Sequence, residues 1–108
     1  MIARIWHGYT TPANADAYEA TLKPELLPGI SKVPGYRGSF LLRRAVDAEI
    51  EFITIMIWDS IDSIRAVGGP HYEAAIIPEN RLQFLSRYDK VAAHYEIASV
   101  AGLTGIAA

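Results

Sequence analysis

The sequence predicts an α+β domain: a four-stranded antiparallel sheet with its helices on one face. Three observations lead there. Segments of strand and helix character follow in the order strand, helix, strand, strand, helix, strand. The clearest strand, Ile50 to Trp58, is apolar on both faces, whereas an antiparallel strand with one wet face alternates apolar and polar. The 108 residues leave room for one core.

Ile2 to Tyr9 is rich in β-branched and aromatic residues and reads as a strand, with Ile2, Arg4 and Trp6 on one face and Ala3, Ile5, His7 and Tyr9 on the other. Thr10-Thr11-Pro12 is a helix start, a hydroxyl followed by proline at the first helical position. Ala15, Tyr18, Leu22 and Leu26 then recur at helical spacing and should face the core. Pro24 predicts a break near Lys23, with a second short helix to about Ser31. Val33-Pro34-Gly35-Tyr36 is a turn, and Tyr36 to Val46 a strand. Asp47-Ala48-Glu49 suits a hairpin into Ile50–Trp58, where Phe52, Thr54, Met56 and Trp58 share one face and Ile53, Ile55 and Ile57 the other. Asp59 or Ser60 can cap a helix carrying Ile61, Ile64 and Val67, which Gly68-Gly69-Pro70 ends. His71 to Ile77 and Pro78 to Arg87 read as short helices, and Val91 to Ile97 as the last strand. Two right-handed crossovers around a central hairpin give a ferredoxin-like βαββαβ sheet. Helices on one face leave the face of Ile53, Ile55 and Ile57 to be covered by a second copy of the chain, so a homodimer is expected. Residues 98–108 carry no charge and place Val100, Leu103 and Ile106 at three-residue spacing. This tail is expected to pack on the partner or along a sheet edge.

Composition excludes several classes. Ten basic against twelve acidic side chains give a net charge of −2, too little positive charge for phosphate-backbone binding, so no nucleic-acid partner is expected. The chain has no cysteine, hence no disulfide, thiolate metal site or cysteine nucleophile. MIARIWHGY lacks the charged and apolar regions of a signal peptide, and no stretch reaches the roughly 18 apolar residues of a membrane span. A cytoplasmic domain without a membrane partner is the expectation.

Among residues with chemistry, His7 and His94 fall on strands expected to be neighbours, where two imidazoles can serve as acid and base. His71 follows Pro70 at a helix start, a surface position. Phe52, Thr54, Met56 and Trp58 form either a core stripe or the wall of an apolar slot for a planar aromatic ligand. Tyr72 can close such a slot with its hydroxyl, as can Tyr9, Tyr18 or Tyr95, and spacing does not choose among them. Arg37, Arg43 and Arg44 read as solvated strand ends or an anion site, and Asp47, Glu49 and Glu51 as a charged hairpin or a metal site. Gly68-Gly69-Pro70 ends a helix instead of beginning one, so it is no phosphate loop.

The element order, the Val33-Pro34-Gly35-Tyr36-Arg37-Gly38 lead-in to the second strand and the Ile57-Trp58-Asp59-Ser60 exit from the third resemble the antibiotic biosynthesis monooxygenase family, of the dimeric α+β barrel superfamily. The resemblance spans residues 1 to about 97. It implies oxidation of aromatic polyketides by molecular oxygen without metal or flavin, and so no cofactor; relatives degrade haem or act on quinols. Cofactor-free quinone-forming members use a Trp, an Asn four residues before it and a Tyr six residues after it; here these positions hold Trp58, Thr54 and Ile64. For haem-degrading members the ligand position falls near Ile76 or Ile77, and the strand Asn near His7. The implied function is a cofactor-independent monooxygenase-like protein acting on a small aromatic compound of polyketide or quinol type. His94 or His7 would be the base, with Phe52, Trp58 and Met56 as wall and Thr54 or Tyr72 as hydrogen-bond partner. The alternative is a non-catalytic ligand-binding or stress-related dimer of the same fold.

Overall fold

The structure is a computed structural model that describes residues 1–24, 30 and 32–103. Its elements are β1 (Ile2–Thr10), α1 (Ala15–Pro24), β2 (Tyr36–Val46), β3 (Glu49–Trp58), α2 (Ile61–Gly68), α3 (Glu79–Leu82), β4 (Leu85–Tyr88) and β5 (Ala93–Glu96). All strand pairs are antiparallel, in the order β2-β3-β1-β4, with β5 also on β1. The expected α+β sheet is therefore present. Its fourth position is one edge strand in two pieces: β4 pairs with Gly8–Thr10 and β5 with Ile2–Ile5.

Two local expectations need correction. Leu85–Tyr88 is a strand, not the end of a helix, because its backbone completes the unpaired edge of β1; sheet pairing outweighs local propensity there. Residues 72–78 are not helical: after a single 3-10 turn at Gly69–His71, Ala74 bridges to Val91. Helix α1 also starts later than Pro12, after a turn in which the Asn14 amide donates to Thr11 Oγ1 at 3.2 Å. It ends at Pro24, close to the expected break. Leu26, the second short helix and Ile106 fall outside the described residues.

The two sequence signatures meet. The Gly35 carbonyl accepts from the Asp59 amide at 2.8 Å, Arg37 pairs with Asp59, and Tyr36 packs edge-on against Trp58 with ring centroids 5.6 Å apart. Gly35 has φ 86°, and a Cβ there would lie 2.3 Å from Ser63 Oγ, so only glycine fits. Ser60 caps α2, its hydroxyl accepting from the Ser63 amide at 3.1 Å.

The helix-covered face holds the core: Ala15, Tyr18 and Leu22 of α1 close on Phe52, with the Tyr18 and Phe52 rings 4.9 Å apart. The other face is apolar and uncovered within the chain. Phe40, Leu42 and Tyr95 stand 40–55% exposed around the half-buried Ile53, Ile55 and Ile57. One end of that face is polar: Glu51, nearly buried, accepts from Tyr9 Oη at 2.9 Å and Arg44 Nε at 2.6 Å, and the Arg87 guanidinium lies 3.6 Å over the Tyr9 ring. Met1, Phe40 and Ile57 border a groove of about 320 Å³ with Ile97, Val100 and Leu103 of the tail.

The hydrogen bonds from Arg44 and Tyr9 hold the Glu51 carboxyl below its usual range. A depressed carboxylate contributes stability that is present above the unfolded pKa and lost as pH falls through the folded one. Glu51→Gln should therefore lower the melting temperature at pH 7. The gap to the natural chain should close as pH falls below about 4.3, as followed by circular dichroism melts across pH; a gap unchanged down to pH 3 would count against this network.

Candidate functional site

The site is built from the even-numbered residues of β1 and β3, which face the helices. Two adjoining clefts, of about 260 and 340 Å³, lie between this sheet face and the chain that crosses it. Arg4 and Met56 line both. Trp6 and Thr54 line the first, Trp58, His71 and Tyr72 the second, and Ile76, 83% exposed, borders both.

The interruption between β4 and β5 holds that cover in place. Asp89 still donates its amide to the His7 carbonyl of β1 at 2.9 Å. Lys90 to Ala92 then leaves β1 and bonds to the chain after α2, the Ala75 amide donating to the Lys90 carbonyl at 2.9 Å and the Ala92 amide to the Glu73 carbonyl at 2.8 Å. Asp89 anchors the interruption from below. Its carbonyl accepts from Trp6 Nε1 at 2.7 Å, and its carboxylate from the His7 amide at 3.0 Å and from His7 Nδ1 at 2.7 Å.

The expectation that His7 and His94 meet is overturned by register. His94 pairs with Arg4, three residues from His7, and alternation sends the two imidazoles to opposite faces. His7 lies on the open face with Asp89; His94 lies on the cleft side, its ring 5.3 Å from that of Tyr72 and edge-on to it. His94 Nε2 is 3.0 Å from Arg4 Nη1. Arginine can only donate, so Nε2 must be the acceptor, and His94 is neutral with its proton on Nδ1. Burial first, and then the Arg4 charge, push the His94 pKa down.

Thr54, Met56, Trp58 and Tyr72 border the clefts, whereas Phe52 is fully buried in the core and borders neither. The other tyrosines are elsewhere: Tyr18 in the core, Tyr9 and Tyr95 on the open face. His71 is exposed on the rim of the second cleft. The anion and metal readings at the strand ends give way to ion pairs. Arg43 meets Asp16 and Glu19, Arg44 meets Glu51, and Arg87 meets Glu49. No three His, Asp or Glu side chains among the described residues are grouped to hold a metal ion. Trp58 Nε1 is buried and has no hydrogen-bond partner among the described residues.

Sequence reasoning missed Arg4. Its side chain is half-buried on the shared wall of the clefts, and Nη1 donates to the Tyr72 carbonyl at 2.7 Å. The signal was present: a cation in mid-strand, between Ile2 and Trp6 on the face that the helices cover.

No protein-family model matches the chain, and no curated protein does. Solved structures do. The heme-degrader MhuD from Mycobacterium tuberculosis, solved with two hemes bound in its active site, superposes with a TM-score of 0.64 at 19% identity, over 94% of this chain and all (100%) of that one. A candidate antibiotic biosynthesis monooxygenase from Bacillus cereus matches with a TM-score of 0.64 at 14% identity, covering 94% and 96% of the two chains. Another from Nitrosomonas europaea gives 0.63 at 12% identity, covering 92% and 100%. The fold of this chain is thus the ferredoxin-like fold of the antibiotic biosynthesis monooxygenases.

The site geometry makes a spectroscopic prediction. In ¹⁵N-detected NMR, His94 should show the Nδ1–H tautomer and titrate below the ordinary imidazole value. Replacing Arg4 with Gln should move that titration upward without restoring it fully, since burial remains; a His94 that titrates as a free imidazole would contradict the contact.

Proposed function

We propose that the protein binds a small planar aromatic compound in the clefts under residues 72–77 and oxidises it with molecular oxygen, without metal or flavin. The observation that carries this reading is the wall itself: Met56, Trp58 and Trp6 offer flat or polarisable apolar surface, with the Thr54 hydroxyl among them. The fold shared with proteins named as monooxygenases supports the chemistry. A quinol- or anthrone-type substrate supplies the electrons once it has lost a proton. With an anthrone, one oxygen atom goes to the CH2 ring carbon as a carbonyl, and the other leaves as water with the two hydrogens of that carbon. With a quinol, dioxygen takes two electrons and the two hydroxyl hydrogens and leaves as hydrogen peroxide while the ring becomes a quinone. The protein has to take up a proton, hold the anion and keep water away. His71 is the imidazole on the rim that can accept the proton, because the His94 lone pair faces Arg4.

A second reading has an observation in its favour. With His94 occupied and His7 on the other face, the inner wall of the clefts holds no free imidazole, which suits a non-catalytic ligand-binding protein. Oxygen uptake with hydroquinones and anthrones separates the two. Catalysis should exceed autoxidation for at least one compound, survive chelators, and fall at least about tenfold in His71→Ala. Binding without uptake for every compound would leave the non-catalytic reading standing.

The working unit is a homodimer that pairs the open faces. Phe40, Leu42, Ile53, Ile55 and Ile57 form an apolar patch of the kind soluble monomers rarely expose, and the tail groove lies at its margin. Light scattering at micromolar concentration should give a dimer mass, Ile55→Asp a monomer, and removal of residues 98–108 a weaker dimer. A monomer mass for the natural chain would refute the pairing.

A further inference from the structure

Among the described residues Arg4 is a cation without a counter-charge. Arg37, Arg43, Arg44, Arg65 and Arg87 each meet a carboxylate. Arg4, in the interior strand β1, has none among the described residues; its Nη1 is shared between two neutral acceptors, the Tyr72 carbonyl and His94 Nε2. A guanidinium taken out of water is stabilised by an anion or by full hydrogen bonding. Among the described residues Nε and Nη2 make no hydrogen bond, so one whole edge of the fork is unused.

The neighbours fix the group. Tyr72 and His94 hold Nη1 from the cover and from β5, and the Tyr72 ring packs against His94. His94, neutral, adds no second positive charge and acts as a positioning residue. The side chain so held stands on the wall common to both clefts. The remaining edge presents two parallel N–H donors, the pattern that a carboxylate accepts with both oxygens. A phenolate oxygen would use one donor and leave the other unpaired. A phosphate would bring further charge and oxygens that the two donors of this edge do not match, between the apolar Met56 and Ile76, although Arg81 also lines the first cleft.

We propose that the Nε/Nη2 edge of Arg4 anchors a carboxylate, so that the ligand of the clefts is a planar aromatic acid. This rests on the clefts being the ligand site. It adds the charge of the ligand and the residue that selects it.

The test is calorimetric titration of the full chain at pH 7 with matched pairs of planar phenols and their carboxylic acids, naphthol and hydroxynaphthoic acid among them. The acid should bind about tenfold or more tightly than the phenol. Arg4→Gln should abolish that preference, the acid losing about tenfold or more in affinity beyond what the phenol loses. Arg4→Lys keeps the charge without the fork; it should lose part of the preference, and it carries the test if circular dichroism shows that Arg4→Gln does not fold. Equal affinity for acid and phenol in the natural chain, or a preference that survives both substitutions, overturns the role of Arg4 and leaves the clefts as a site for neutral aromatics. If no member of any pair binds the natural chain, the cleft reading fails and this proposal with it.

Discussion

Everything in this fold turns on two interior strands, β1 and β3, having to satisfy both of their faces at once. Their pairing, from Ile2 opposite Trp58 to Thr10 opposite Ile50, runs without a bulge, so alternation is strict along its length. One set of side chains builds the helix-covered core and the clefts; the other builds an apolar surface. Helices can cover only one side, and the outer face of Ile53, Ile55 and Ile57 is left uncovered within the chain. Burial of apolar area, at about 25 cal/mol per Å², drives the helix-covered layer, and the two faces cannot be tuned independently because they share a backbone.

The clefts depend on a second device, the break in the edge strand. A continuous strand from Leu85 to Glu96 would satisfy β1 and leave residues 73–75 without a hydrogen-bonded neighbour. Because Lys90 to Ala92 turns away, its backbone groups pair with Glu73 and Ala75 instead and hold the cover against the sheet. The departure is stabilised by Asp89, which takes hydrogen bonds from Trp6 and His7 at once. Thus His7, far from the clefts, contributes to the shape of the site on the opposite face.

Much of this was legible in the sequence. Period-two alternation placed Ile53, Ile55 and Ile57 opposite Phe52, Thr54, Met56 and Trp58, and helical spacing placed Ala15, Tyr18 and Leu22 in the core, where they stand. Gly35 and Ser60 were readable as turn and cap. Leu85–Tyr88 was not readable as a strand, because four residues carry too little periodicity and its reason for being extended lies on β1. The site was half legible: the face was right, but Phe52 is spent on packing against Tyr18, and the histidines are separated by a register that only pairing sets. Arg4 escaped notice because a lone charge in a strand is ordinarily a solvent-facing residue.

Strict alternation carries a cost in mutability. A single inserted or deleted residue within β1 would exchange the two faces over the shifted part of the strand, sending the Arg4 guanidinium into the apolar surface and Ile5 into the clefts. Substitution in place carries no such penalty, since each position belongs to one face alone. Diversification of this framework is therefore confined to point changes along β1 and β3.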